Sequence, residues 1–202
     1  MKISPLDRIL LLLTGLLAAY HIVVGIEGFA SLPAIAYTIA FGVLLIAGLL
    51  LILLGFDVLD SPIIVIVSTI IPLSLATGLV WQYLASFGTL YLGFAILGFL
   101  AVTITRALPI KTKLPVLVLG IVHGLAGLTI FLLPIIWVLT GRAAPGFALV
   151  GIGGALIGIG GLLLSFLKAG KPLLSRAVIF RLLPGLLLLM TAAFVAGFAF
   201  AS

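Results

Sequence analysis

Seven long apolar stretches, separated by short polar gaps, fill almost the whole chain: Ile9 to Ile26, Leu32 to Phe56, Ile63 to Leu84, Phe87 to Thr105, Leu114 to Leu139, Gly146 to Leu167 and Ala177 to Ala201. A hydrocarbon core about 30 Å thick takes roughly 20 helical residues per crossing, so each stretch predicts one transmembrane helix. The stretches are continuously apolar and lack the alternation of a lipid-spanning barrel wall, which leaves helices as the only way to satisfy the backbone in lipid. The least obvious boundary lies between the third and fourth. There Gln82, Ser86 and Gly88 interrupt an apolar passage that would otherwise exceed the bilayer twofold, and a tight turn near Ser86 is predicted.

Charge then orients the bundle. Lys2 and Arg8 precede the first stretch, Arg106, Lys111 and Lys113 follow the fourth, and Lys168, Lys171, Arg176 and Arg181 surround the gap between the sixth and seventh; only Arg142 falls on the other side. Cytoplasmic loops concentrate Lys and Arg, so the pattern predicts a multi-pass protein of the cell membrane with its amino terminus in the cytoplasm and its carboxyl terminus outside. The formal charge of +6 lies wholly on the inner face, because Arg142 and Glu27 cancel outside. Arg106, Lys111, Lys113, Lys168, Lys171, Arg176 and Arg181 are therefore candidate contacts for anionic headgroups.

Composition removes several classes. With 202 residues, 65% hydrophobic and 7% charged, and a mean hydropathy of +1.58, the chain lacks the polar surface to cover a soluble globule. After seven spans, only about 60 residues remain for loops and termini, too few for a separate soluble domain. The basic charges sit in short loops without an aromatic platform or recognition helix, so no nucleic-acid partner is expected. There is no cysteine, hence no disulfide or thiolate chemistry. The first stretch is longer than a usual signal core, and cleavage after Ala34-Ile35-Ala36 would cut into the second span; an uncleaved signal-anchor is the expectation.

A faint internal repeat organises the spans. Ile46-Ala47-Gly48-Leu49-Leu50-Leu51 matches Ile159-Gly160-Gly161-Leu162-Leu163-Leu164 at an offset of 113, and Pro72 matches Pro184 at 112. His21-x-x-x-Gly25 matches His123-x-x-x-Gly127 at an offset of 102. The chain divides on this basis into a first unit over about 6–84, a linker helix over about 87–105 and a second unit over about 114–201. An odd number of helices per unit, restored by the fourth, makes the two units parallel, an all-α three-plus-one-plus-three bundle. This layout resembles that of SWEET-type sugar transporters, whose repeats are parallel in the same sense. It departs from them in lacking their Pro-Gln dipeptide and in placing its terminus on the opposite side.

Few residues carry candidate chemistry. His21 and His123 are the only histidines, and ionisable groups within apolar spans are functional suspects. Counted from the inner end, His21 follows Arg8 by 13 residues and His123 follows Lys113 by 10, a difference in depth of about 5 Å that would let them face each other. They then serve as ligands of a b-type haem, as a proton or substrate site, or as neutral imidazoles bonded to a neighbouring helix. Gly120 and Gly124 flank His123, and Gly154 and Gly158 make a small-xxx-small pair in a Gly-rich sixth span expected at the interior. Pro72 and Pro184 kink their helices and free carbonyls one turn back, with Ser68, Thr69, Ser74 and Thr77 adding hydroxyls around a candidate cavity or hinge. Asp57 and Asp60 precede Ser61-Pro62 as expected helix-start residues. Trp81, Gln82, Tyr83, Tyr91 and Trp137 read as an interfacial belt, and Glu27 as a hydrated residue ending the first span.

No lysine lies deep in the seventh span to hold retinal, neither H-E-x-x-H nor G-x-S-x-G occurs, and four acidic residues leave little for metal-dependent transfer chemistry. The sequence thus leans away from an enzyme. Its first reading is a transporter-like or small-ligand-binding bundle, its second a redox subunit holding haem or bordering a quinone, its third an accessory subunit of a larger complex or a homo-oligomer.

Overall fold

The computed structural model describes residues 3–24, 29–110, 112–168 and 170–201. Among them no strand occurs, and seven helices are long and apolar enough to cross a membrane. In chain order these are α1 (Pro5–Val23), α2 (Ser31–Leu54), α3 (Pro62–Tyr83), α4 (Ala85–Ala107), α5 (Leu114–Leu139), α6 (Ala148–Lys168) and α7 (Arg176–Phe198), with short 3₁₀ turns at Phe56–Asp60 and Pro145–Phe147. The fold is compatible with a multi-pass membrane protein.

Local chemistry explains most boundaries. Helix α1 starts four residues before the apolar run because Ser4 caps it: its hydroxyl accepts from the Asp7 amide at 3.1 Å, while the Asp7 carboxylate accepts from the Ser4 amide at 2.9 Å. Pro62 occupies the first turn of α3, where its missing N–H leaves nothing unsatisfied. The break between α3 and α4 is Leu84 alone, at φ −132° and ψ 53°. Ser86, where the turn was predicted, already lies in the first turn of α4.

Each helix packs on the next, α7 closes back on α1, and α3 also packs on α5. Helix α3 is the central element, with 56% of its apolar window buried against 33% for α6. This corrects the expectation that the glycine-rich helix holds the interior. The glycines of α6 instead bring it close to two neighbours at one end. A Cβ on Gly154 would stand 2.9 Å from the Phe131 backbone nitrogen of α5, whereas Gly158 and Gly161 meet nothing within 4 Å. On α5, Gly120, Gly124 and Gly127 are equally open. A Cβ on Gly120, Gly124 or Gly158 therefore meets no neighbouring helix of this chain.

The two ends of the bundle differ. One carries Arg8, Arg106, Lys113, Lys171, Arg176 and Arg181 and is called the basic end. The Arg176 guanidinium joins it across the bundle, donating to Asp60 at 3.0 Å and lying 3.7 Å from Asp57. The other end gathers Tyr83, Trp137, Phe147 and Phe198 and is called the aromatic end.

Candidate functional site

Buried positions on α1 run Asp7, Leu11, Thr14, Ala18, His21, a spacing of four and three that keeps one stripe against the bundle. His21 ends that stripe, so its ring is driven inward although it sits in the last turn of the helix. It is 1% exposed. The Phe41 ring of α2 lies 4.2 Å away and the Phe198 ring of α7 lies 5.3 Å away, measured between centroids. Neither imidazole nitrogen has a hydrogen-bond partner among the described residues.

Around this ring the aromatic end is built from three further helices. Phe198 also packs against Tyr37 at a tilt, 4.5 Å between centroids, and Phe29 meets Tyr37 edge-on at 5.2 Å. Tyr37 is fully buried and donates from its hydroxyl to Gln82 Oε1 of α3 at 3.2 Å. Gly78 makes that placement possible, because a Cβ there would collide with the Tyr37 ring. The Gln82 amide nitrogen lies 3.4 Å from the Tyr83 hydroxyl and 3.4 Å from the Ala201 carbonyl, to which Tyr83 donates at 2.8 Å. A polar chain thus crosses from α2 through α3 to the residues after α7, roofed by Trp137 and Phe147.

Gln82 and Tyr83 turn into the bundle, Tyr91 donates to Thr129 of α5 at 3.3 Å, and Trp81 covers Gly88. Tyr37, Phe41 and Phe198 were not singled out from sequence. Tyr37 carried the only available signal, a phenol seven residues into an apolar helix, but its partner Gly78 gives none.

The two histidines are not brought together. Helix α1 packs on α2 and α7, and α5 packs on α3, α4 and α6. Measured from the helix starts at the basic end, His21 lies about 24 Å along α1 and His123 about 14 Å along α5. The four extra residues at the start of α1 and the different neighbours of the two helices defeat the facing arrangement. A haem held by both imidazoles does not fit either, because each ring would have to approach one iron from opposite faces, and His21 is enclosed by Phe41 and Phe198 instead.

The proline sites are buried without forming a polar cavity. Pro72 and Pro184 lie in α3 and α7, both of which continue through them. The hydroxyls of Ser68 and Thr69 donate to Val65 at 3.1 and 2.7 Å, and that of Thr77 to Leu73 at 2.7 Å, all within α3. A hydroxyl bonded to its own helix is not displayed to a substrate. Ser74 is half-buried on the same helix. A cavity of about 130 Å³ opens elsewhere, at the basic end, lined by Leu59, Asp60, Leu164, Leu167, Arg176 and Phe180.

Of the basic residues, Lys113, Lys171 and Arg181 are exposed, and Arg106 is half-buried. Arg176 is committed to Asp60 and Asp57 and lies 5.0 Å over the Phe180 ring. The two carboxylates thus meet a guanidinium rather than capping α3, whose start has no side-chain cap. Lys111, the Lys168 side chain, Lys2 and Glu27 lie outside the described residues. Among those described, no three of His, Cys, Asp and Glu converge on a metal position. Comparison with family models, curated proteins and solved structures finds no match.

Proposed function

We propose that this chain is a non-enzymatic membrane protein that binds a small molecule at the aromatic end, with His21 as the recognition group. The observation that carries this reading is the wholly buried imidazole of His21, whose two nitrogens have no partner. An unsatisfied buried polar group costs about 1–3 kcal/mol. Orphaned groups of this kind in folded proteins call for a specific compensation, such as a bound ligand. A neutral imidazole offers one donor and one acceptor, so the matching ligand carries both. The rings of Phe41, Phe198 and Tyr37 favour a flat apolar body. Entry from the aromatic end requires Phe198 to move, and its position depends on the bond from Tyr83 to Ala201. The basic end is assigned to the cytoplasm and the protein to the cell membrane by the distribution of Lys and Arg.

Native mass spectrometry of protein extracted in mild detergent, beside thermal unfolding, tests the reading. Wild type retains a co-purifying small molecule and His21→Leu loses it, while the empty His21→Leu protein unfolds at higher temperature than empty wild type. Loss of stability in His21→Leu, with no ligand in either protein, refutes it.

A second reading, an accessory subunit in a larger complex, is favoured by α4. Among the described residues this helix packs chiefly on α3 and α5 and presents an open apolar groove lined by Thr89, Leu90, Gly93, Phe94, Leu97, Gly98 and Ala101. Stoichiometric recovery with a partner, abolished by Gly93→Leu, supports it; recovery of the chain alone counts against it.

A further inference from the structure

Arg106 and His123, on adjacent helices near the basic end, each hold a buried nitrogen without a partner: Nε of Arg106 and Nδ1 of His123. The Leu119 carbonyl, one turn back from His123, lies near its ring without meeting hydrogen-bond geometry at Nδ1. Arg106 occupies the last turn of α4, and side chains on a helix tilt toward its start. Its Nε is thereby buried one step back from the basic end. Helix α5 runs closely alongside: a Cβ on Gly98 would stand 3.2 Å from Val122, the neighbour of His123. Arg106 lies about 12 Å nearer the basic end than Gly98. The length of its side chain covers much of that distance.

No described carboxylate neutralises this cation. Asp7 accepts from the start of α1, and Asp57 and Asp60 lie against Arg176. A cation with a buried, unpartnered nitrogen and no counter-ion is costly and marks a functional position.

The bundle also opens beside it. At 100° per residue, Gly120, Gly124, Gly127 and Phe131 share one face of α5, and Gly154, Gly158 and Gly161 share one face of α6. The faces meet at Phe131 and Gly154, and at the remaining glycines, toward the basic end, nothing lies within 4 Å. Toward the level of His123 these glycine faces border open space, a lateral crevice on the exposed side of α5 and α6.

We propose that this crevice binds an anionic amphiphile, its oxyanion on Arg106 and His123 and its apolar chain leaving between the glycine faces of α5 and α6. The oxyanion is a lipid phosphate or a fatty-acid carboxylate. Arg matches either with two parallel hydrogen bonds, and basic pockets between helices near a membrane surface suit such headgroups. This site is separate from the one at His21.

Full-length protein, freed of lipid in detergent, is offered phosphatidylcholine vesicles with or without phosphatidylglycerol or oleate, and bound molecules are counted by native mass spectrometry. Wild type binds phosphatidylglycerol or oleate in preference to phosphatidylcholine, and which of the two binds identifies the source of the oxyanion. Occupancy falls about tenfold in Arg106→Gln, falls in His123→Gln, and is unchanged in Arg142→Gln, at the opposite end of the bundle. Equal losses in Arg106→Gln and Arg142→Gln, or equal binding of phosphatidylcholine, overturn the proposal. So does displacement of the lipid by inorganic phosphate at matched concentration, since the chain would then contribute nothing. Gly124→Leu fills the open wall without touching the cation and decides the matter if Arg106→Gln fails to fold: loss of the amphiphile supports the site, and retention overturns it.

Discussion

The Tyr83 hydroxyl donates to the Ala201 carbonyl at 2.8 Å, joining the end of α3 to the residues beyond α7 across 118 positions of sequence. It is the shortest bond in the polar chain that runs from Tyr37 through Gln82. Removing the phenol oxygen in Tyr83→Phe keeps the ring against Phe147 and leaves one carbonyl underused. The expected cost is about 1 kcal/mol. Thermal unfolding in detergent shows a modestly lower midpoint, and proteolysis after α7 becomes faster; an unchanged rate of cleavage would show that this bond does not hold the segment.

Two glycines in helices of similar hydropathy respond oppositely to alanine. Gly78→Ala drives a methyl into the Tyr37 ring, which is fully buried and cannot yield, and overpacking of this kind costs about 1–3 kcal/mol. Gly158→Ala enters open space and gains about 0.5–1 kcal/mol from helix propensity. Unfolding midpoints of the two variants, taken beside wild type, move in opposite directions.

At the basic end, Arg176→Ala releases Asp60 and Asp57. The side chains are 53%, 57% and 70% exposed, and exposed pairs contribute under about 1 kcal/mol. The variant loses little stability at low salt and less at high salt, where screening already weakens the pair. A loss that does not shrink with added salt would assign the effect to the stacking of Arg176 on Phe180 instead.

The absence of cysteine makes membrane sidedness directly measurable. In intact cells a membrane-impermeant maleimide labels Arg142→Cys and leaves Lys113→Cys unlabelled until the membrane is opened. The opposite result would place the basic end outside and reverse the orientation drawn from the loops.

The count of helices was legible because each span needs an uninterrupted apolar run, and even the shortest break, at Leu84, was marked by the polar residues around it. The starts of helices were less so. Ser4 and Asp7 form a cap recognisable in sequence, yet they precede the apolar run and fall outside a search for hydrophobic length. Faces proved harder again. Depth along a helix follows from counting residues, whereas the direction of His21 follows from the buried stripe Leu11, Thr14, Ala18, and its neighbours Phe41 and Phe198 follow only from which helices become adjacent. For the same reason the open glycines of α5 and α6 read as contact surfaces in sequence. Nothing in Gly120 or Gly158 records that the space beside them is left open.

The single non-helical residue at Leu84 also limits how the bundle can move. Helices α3 and α4 share a joint without slack, so neither can slip along the other by a turn, and the pair travels as one stiff hairpin. Since α3 is the axle of the bundle, rearrangements that admit a ligand fall to helices outside this hairpin.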